Sequence, residues 1–234
     1  AIFEALGISD VVSKAIGMPL AKLATKIMLG VSLDAQNVSE NRGSNYYAVK
    51  EAVFPFARFP GVDVFLGPDM KSTCEVMGID TDFGRAFAKS QLGAGTDLPL
   101  SGTVFISVKD EDKPAFIEIC QSLVEDGFKI LATGGTTAAL QAAGVPATSI
   151  NKVMQGRPHA VDAMLSGDIQ LVFNTAKGAG AIKDSFSLRH TALTNKVPYY
   201  TTVSGSRAAA EAIRALRAGQ LGVRTLQDYL ADIG

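Results

Sequence analysis

Hydrophobic and polar positions follow a regular pattern in the second half of the chain. Short apolar runs predict strands at residues 102–108, 128–131, 147–150, 169–173 and 199–203. Stretches of helical period lie between and after them, at residues 112–126, 138–143, 159–165, 184–196, 207–218 and 221–233. Strands that alternate with helices are typical of an α/β fold, so we predict a five-stranded, mainly parallel sheet flanked by helices over residues 98–234.

The first half is less regular. Residues 11–30 carry a helical pattern, residues 46–54 alternate as in a strand, and residues 81–92 predict a helix capped by Thr81 or Asp82. The stretch 53–66 is apolar and rich in proline, which favours docking on a partner over a closed core of its own. Because residues 93–99 read as a linker, we predict two parts, residues 1–92 and 98–234.

Three of the predicted strands end in polar residues. Thr133, Gly134, Gly135 and Thr136 follow the strand at 128–131, Lys152 follows the strand at 147–150, and Asn174 and Thr175 follow the strand at 169–173. The carboxyl ends of parallel strands meet at one edge of a sheet, where ligands bind. Helix-terminal N–H groups, hydroxyls and an ammonium group suit a phosphate. Each residue alone could be a solvated loop residue, but together they predict a phosphorylated ligand.

The composition of the chain narrows the range of possible functions further. The chain has 234 residues, 47% of them hydrophobic, so it is long enough to bury a core. A net charge of −1 gives no broad surface for nucleic acid, so any anion site is local. Two distant cysteines, Cys74 and Cys120, predict a reducing, cytoplasmic setting and no metal site. We expect no membrane span and no signal peptide, and the absence of an initial Met suggests part of a longer protein.

Several segments then resemble a known family. Residues 12–22 (VSKAIGMPLAK) and 45–51 (NYYAVKE) resemble the end of an ATP-grasp synthetase domain. With the string LGPDMKSTCEVMG at residues 66–78, they resemble the C-terminal end of the carbamoyl phosphate synthetase large subunit. The second half is similar to that subunit's allosteric domain, which has a methylglyoxal-synthase-like fold. The resemblance implies an incomplete α+β remnant of the ATP-grasp domain at residues 1–92 and an allosteric domain at residues 98–234.

The resemblance also implies a regulatory nucleotide site with no catalytic residue. UMP is the first candidate effector and IMP the second, because Gly134 and Ala176 stand where enterobacterial members carry His and Thr. Ornithine is implied near Tyr199 and Thr201. The phosphate and ribose contacts implied by the family, together with the glycines of the turn, are Lys113, Thr133, Gly134, Gly135, Thr136, Lys152, Asn174, Thr175, Asp184 and Ser185.

For the parent protein, the resemblance implies ATP-dependent synthesis of carbamoyl phosphate from bicarbonate and glutamine or ammonia. This ligase reaction feeds pyrimidine and arginine synthesis and uses Mg²⁺ and K⁺. The implied partners are the rest of the large subunit and a small glutaminase subunit, and a homo-oligomer stays open. Residues 1–10 do not match the family segment that carries a Glu and an Asn of the ATP site. We therefore expect no cofactor and no synthesis by this chain alone.

Two other interpretations compete with this one. A methylglyoxal-synthase-type lyase would use the same pocket for a triose phosphate and needs a carboxylate base, for which Asp110 is a candidate. Against it, residues 155–159 replace the Gly-rich loop of that family. A ligand-free subunit-interaction module is the other alternative. His159 and His190 are expected to be structural or solvated, and Arg157 either joins the anion site or pairs with Asp162.

Overall fold

The computed structural model describes residues 10–38, 45–53, 74–176 and 185–231. Its helices are α1 (Asp10–Ile16), α2 (Leu20–Met28), α3 (Phe83–Gly93), α4 (Lys113–Glu125), α5 (Gly134–Ala142), α6 (Ala160–Leu165), α7 (Phe186–Thr194), α8 (Val203–Ala218) and α9 (Leu226–Ala231). Its strands are β1 (Tyr47–Val53), β2 (Cys74–Asp80), β3 (Thr103–Ser107), β4 (Lys129–Thr133), β5 (Thr148–Ile150), β6 (Leu171–Asn174) and β7 (Tyr199–Tyr200). Among the described residues, no helix is long and apolar enough to cross a membrane.

The second half confirms the predicted α/β fold. Its five strands are parallel and lie in the order β5-β4-β3-β6-β7. The chain winds outward from β3 to β5 and then returns to add β6 and β7 on the other side. The strand order therefore reverses between β3 and β6, where Ser107 lies opposite Asn174. Ligands of open α/β sheets bind at such a switch point, outside the carboxyl ends of the strands.

Side chains of the sheet alternate between two hydrophobic cores. Val104 and Ile106 of β3 face helices α3, α4, α5 and α8, in the core that also contains Phe116 and Phe173. Phe105, between them in sequence, faces α6 and α7 instead. Because successive residues of a strand point to opposite faces, short continuous apolar runs cover both sides of the sheet. The result is a three-layer arrangement that fixes the strand ends in place.

The first half differs from its prediction at two points. The helical pattern at residues 11–30 forms two helices, because Gly17 takes a positive φ of 67° and Pro19 follows it. Strand β1 is confirmed, but its antiparallel partner β2 was not predicted. Of the two predicted caps for α3, the structure uses Asp82, whose carboxylate accepts a hydrogen bond from the Arg85 N–H at 2.8 Å.

Helix α3 joins the β1–β2 hairpin to the sheet. A Cβ added at Gly78 of β2 would overlap the Ala86 carbonyl oxygen, and one added at Gly84 would lie 2.7 Å from the Glu211 carbonyl oxygen of α8. The backbones of β2 and α8 therefore approach α3 directly from two sides. Phe87 of α3 also lies in the core shared with the sheet. The domain boundary at residues 93–99 stays a prediction.

A hydrogen-bonded chain of side chains crosses the same junction. The Tyr200 hydroxyl donates to Gln91 Oε1 at 2.9 Å, and Gln91 Nε2 donates to Glu51 Oε2 at 2.8 Å. Burial raises the pKa of Glu51 above its usual value. Burial and the nearby Glu51 charge raise the pKa of Tyr200, so its hydroxyl stays a donor at neutral pH. Residues from β1, α3 and β7 are thus held in one polar contact.

Candidate functional site

A pocket of about 270 Å³ opens at the carboxyl edge of the sheet. It lies at the switch point between β3 and β6, where the topology predicts a ligand. One wall is apolar and the other carries hydroxyl, amide and ammonium groups, as is typical of small-molecule sites. The lining residues are Phe105, Ser107, Val108, Lys109, Thr133, Lys152, Val153, Gln155, Ala160, Asn174, Thr175, Ala176, Ser185 and Leu188.

Hydroxyl groups from β3, β4 and α5 form the floor on the polar side. The Thr133 hydroxyl lies 3.5 Å from the Ser107 hydroxyl and 3.4 Å from the Thr136 hydroxyl. Thr136 also accepts a long hydrogen bond of 3.5 Å from the Val108 N–H. These contacts lie at the weak end of hydrogen bonding, so the hydroxyls keep capacity for a stronger partner. Thr136 is buried and is not among the residues that line the pocket, whereas Ser107 and Thr133 are.

The turn from β4 to α5 places a helix N-terminus beside this floor. Gly134 and Gly135 are the first residues of α5 and both are exposed. The first N–H groups of a helix have no intrahelical partner and attract anions. Lys113 adds a charge here, because a Cβ at Gly135 would lie 3.4 Å from the Lys113 Nζ. In the structure Lys113 pairs with Asp110, with 2.6 Å between Nζ and Oδ1.

The end of β6 supplies the amide and hydroxyl of the opposite wall. Asn174 and Thr175 are almost fully buried. Asn174 Nδ2 donates a hydrogen bond of 2.5 Å to the Tyr199 hydroxyl, which orients the amide. The Thr175 hydroxyl accepts from the Lys109 N–H at 3.2 Å, and the Thr175 N–H donates to the Ser107 carbonyl oxygen at 3.1 Å. These bonds tie β6 to β3 at the base of the pocket.

Two further lysines bring positive charge to the pocket. Lys152 follows β5, is exposed and lines the pocket. Its backbone N–H donates to the Gln155 side chain at 3.0 Å, which shapes the short 3-10 turn Val153–Gln155. Lys109 also lines the pocket, and its Nζ lies 3.5 Å from carboxylate oxygens of Glu111 and Asp112. The pocket therefore combines cations with hydrogen-bond donors, which suits an anionic ligand.

The apolar wall lies on the other side of the opening. Phe105 of β3 and Leu188 of α7 are buried, and they line the pocket together with Val153 and Ala160. A flat, weakly polar group fits against such a wall, whereas a charged group does not. The pocket thus favours a ligand with one anionic end and one apolar end.

The predicted site residues divide into three groups. Those that line the pocket are Thr133, Lys152, Asn174, Thr175 and Ser185. Those that lie beside it are Gly134, Gly135 and Thr136 in the first turn of α5, and Lys113 at the start of α4. Asp184 lies outside the described residues. Of the implied ornithine contacts, Tyr199 binds Asn174, while Thr201 is exposed beyond β7 and does not line the pocket.

Sequence reasoning missed three polar lining residues, Ser107, Lys109 and Gln155. Ser107 ends strand β3, so the same strand-end argument would have found it. Lys109 follows two residues later. Gln155 carries no signal in the sequence, because its place depends on the 3-10 turn after Lys152.

The histidines and Arg157 take structural roles where they are described. His159 caps α6: its Nδ1 accepts from the Asp162 N–H at 3.2 Å, and the Asp162 carboxylate accepts from the His159 N–H at 3.1 Å. Arg157 pairs with Asp162 at 3.3 Å. His190 is exposed and stacks on Phe186. In the described part of the chain, no group of three or more His, Cys, Asp and Glu side chains is arranged to hold a metal ion.

Comparison with known proteins agrees with this architecture. Residues 115–201 match the MGS-like domain family, which defines the class of the parallel-sheet half. The whole chain is 56% identical over 225 residues to the carbamoyl phosphate synthase large chain of Mesorhizobium japonicum, covering 94% of this chain and 19% of that protein. The large chains of Rhizobium meliloti and Myxococcus xanthus are 56% and 50% identical over 93% and 94% of this chain.

The chain is therefore homologous to the carbamoyl phosphate synthase large chain, and its MGS-like domain fits the C-terminal portion of that protein. It spans about a fifth of the length of these relatives, 19% or 20%.

Proposed function

We propose that the pocket at the β3–β6 switch point binds a nucleoside monophosphate as an allosteric effector, UMP first and IMP second. The observation that carries this proposal is the convergence of polar strand ends on one two-sided pocket. Ser107, Thr133 and Asn174 end three neighbouring strands and all line it. A volume of about 270 Å³ suits a small ligand that projects partly into solvent.

The phosphate is proposed to bind at the β4–α5 turn. The proposed phosphate ligands there are the Thr133 hydroxyl and the Lys152 ammonium, which line the pocket, with the N–H groups of Gly134 and Gly135 and the ammonium of Lys113 beside it. A phosphate dianion accepts several charge-assisted hydrogen bonds, which are roughly twice as strong as neutral ones.

The ribose and base are proposed to extend toward β6 and α7. Asn174, held by Tyr199 and buried, can bond to a ribose hydroxyl without losing further side-chain freedom. Ser185 at the start of α7 lies on the same side. The base would then lie between Val153 and Leu188 on the apolar wall. Asp184, outside the described residues, is the remaining proposed ribose contact.

For the whole protein, we propose synthesis of carbamoyl phosphate from bicarbonate, glutamine or ammonia, and ATP, with Mg²⁺ and K⁺. This follows from homology to large chains that are about five times longer. The rest of the large chain and a glutaminase subunit are the proposed partners, and the cytoplasm the proposed location. In this scheme the present chain contributes regulation, because its pocket carries the groups that are proposed to bind the effector.

Isothermal titration calorimetry tests the effector proposal. UMP, IMP and inorganic phosphate would each be titrated into the chain at moderate salt. We expect UMP or IMP to bind more tightly than phosphate, because the sugar and base add contacts. No heat from any of the three at millimolar concentration would reject the site. Turnover of dihydroxyacetone phosphate would instead favour the methylglyoxal-synthase-type lyase.

A lysine pair provides a matched control for that experiment. Lys152→Ala should cost about 1.5–3 kcal/mol of UMP binding, the usual contribution of a hydrogen bond to a charged group. Lys129→Ala removes the same charge from the opposite end of β4, which faces away from the pocket. It should leave affinity nearly unchanged. Equal losses in both variants would mean that general charge, and no local contact, holds the ligand.

A further inference from the structure

The charges at the mouth of the pocket cancel in the described residues. Lys109, Lys113 and Lys152 supply three positive charges. The 3-10 turn Asp110–Asp112, directly after β3, supplies three negative ones. Each carboxylate of this turn contacts a lysine: Asp110 binds Lys113, and Glu111 and Asp112 approach Lys109. Among the described residues, the three lysines are thus opposed by an equal number of nearby carboxylates, which weakens their attraction for an approaching anion.

Asp110 has the most direct position in this arrangement. Its Oδ1 lies 2.6 Å from the Lys113 Nζ, and that Nζ lies beside the first turn of α5. The hydrogen bond and charge of Lys113, with a smaller effect of Lys152, lower the pKa of Asp110. The carboxylate is thus ionised at neutral pH. Asp110 contacts Lys113, one of the two cations proposed to bind the ligand phosphate, and interacts electrostatically with Lys152, the other.

We propose that Asp110 is an internal competitor of the bound anion, which takes Lys113 in the empty pocket and must release it when the ligand enters. This inference rests on the proposed function, because it concerns the same pocket. Its consequence is a minimum binding energy that a ligand must supply to displace Asp110 from Lys113. A bare phosphate ion gains little binding energy, because its contact with Lys113 replaces the contact that Asp110 already makes. A nucleotide adds sugar and base contacts, which outweigh the loss of the Asp110–Lys113 contact.

The strength of this competition follows from the solvent exposure of the Asp110–Lys113 ion pair. The Asp110 side chain is 92% exposed and that of Lys113 is 21% exposed. Ion pairs of this kind are weak, so Asp110 lowers affinity without closing the site. We expect Asp110→Asn to bind inorganic phosphate and UMP about two- to fivefold more tightly than the wild type. The gain should be the same factor for both ligands, since both displace the same contact.

Calorimetry with inorganic phosphate and UMP, at one pH and one salt concentration, tests this on three variants. Asp110→Asn removes the competitor. Glu118→Gln is the matched control, because it removes the same charge from an exposed glutamate of α4 that pairs with Arg207. Asp110→Asn in a Lys113→Met background is the third, and Lys113→Met alone is its reference. We expect no gain from Glu118→Gln, and no gain from Asp110→Asn once Lys113 is absent.

Two results would overturn the inference while leaving the proposed function intact. If Asp110→Asn weakens UMP binding, Asp110 positions Lys113 for the ligand and does not compete with it. If its gain persists without Lys113 and is larger for the ligand of higher charge, the effect is repulsion through space. Absence of binding in the wild type and in Asp110→Asn alike would reject both proposals, whereas binding by Asp110→Asn alone would support both.

Discussion

Gly78→Ala tests the close contact between the hairpin and α3. A Cβ at this position would overlap the Ala86 carbonyl oxygen and crowd the Ser90 N–H, both part of the α3 backbone. Backbone atoms cannot rotate away as a flexible side chain can, so β2 or the whole helix must shift. Overpacking of this kind costs about 1–3 kcal/mol, and a rigid neighbour places the cost toward the upper end.

Thermal unfolding followed by circular dichroism measures this cost. For a chain of this size, 1 kcal/mol corresponds to about 2–4 °C, so we expect the Tm to fall by about 4–12 °C. Gly222→Ala is the control, because a Cβ there meets nothing within 4 Å and φ lies outside the left-handed region. It should be neutral or slightly stabilising. A Gly78→Ala protein that melts with the wild type would show that the hairpin does not press on α3 as described.

Three further predictions concern single side chains. Tyr199→Phe frees the Asn174 amide from its 2.5 Å hydrogen bond, so UMP affinity in calorimetry should fall severalfold. Burial raises the pKa of Glu51 in the folded state above its value in the unfolded state. Protonated Glu51 therefore adds to the free energy of unfolding, fully at a pH below the unfolded-state pKa, and this contribution is lost as the pH rises through the folded-state pKa. Glu51→Gln should therefore melt higher than the wild type at pH 7, with the gap closing in acid. Cys120 is fully buried and burial raises its pKa to about 12, so peptide mapping should find it unmodified by thiol reagents until the protein unfolds.

The sheet could be predicted from the sequence because each strand is a short apolar run between helices. β4 and α5 show how far this extends, because the apolar run at residues 128–131 and the glycines after it predict the strand-to-helix turn that the structure has at Gly134 and Gly135. Strand β2 was missed because residues 74–80 do not alternate clearly, and its partner β1 lies about 27 residues upstream. Pairing over such a distance leaves little local signal.

The site was predictable only as far as strand ends define it. Parallel strands bring Thr133 and Asn174 to one edge whatever their neighbours are. The bond between Asn174 and Tyr199 depends on side-chain geometry across two strands, and so does the place of Gln155. Lys113 pairs with Asp110, which is one of three consecutive acidic residues in the 3-10 turn Asp110–Asp112. The contact between Asn174 and Tyr199 cannot be inferred from spacing along the chain, whereas the i,i+3 spacing of Asp110 and Lys113 allows their pairing.

The polar wall of the pocket is assembled from segments far apart in sequence, from Ser107 on β3 to Ser185 before α7. No short segment contains even half of it, so an unfolded chain has no version of this pocket to offer a ligand. Ligand binding to the pocket is therefore thermodynamically linked to folding of the chain. A ligand at a hundred times its Kd would add about 2.7 kcal/mol to the free energy of unfolding. Candidate effectors can therefore be ranked by the melting temperature alone, with no knowledge of the reaction that they regulate.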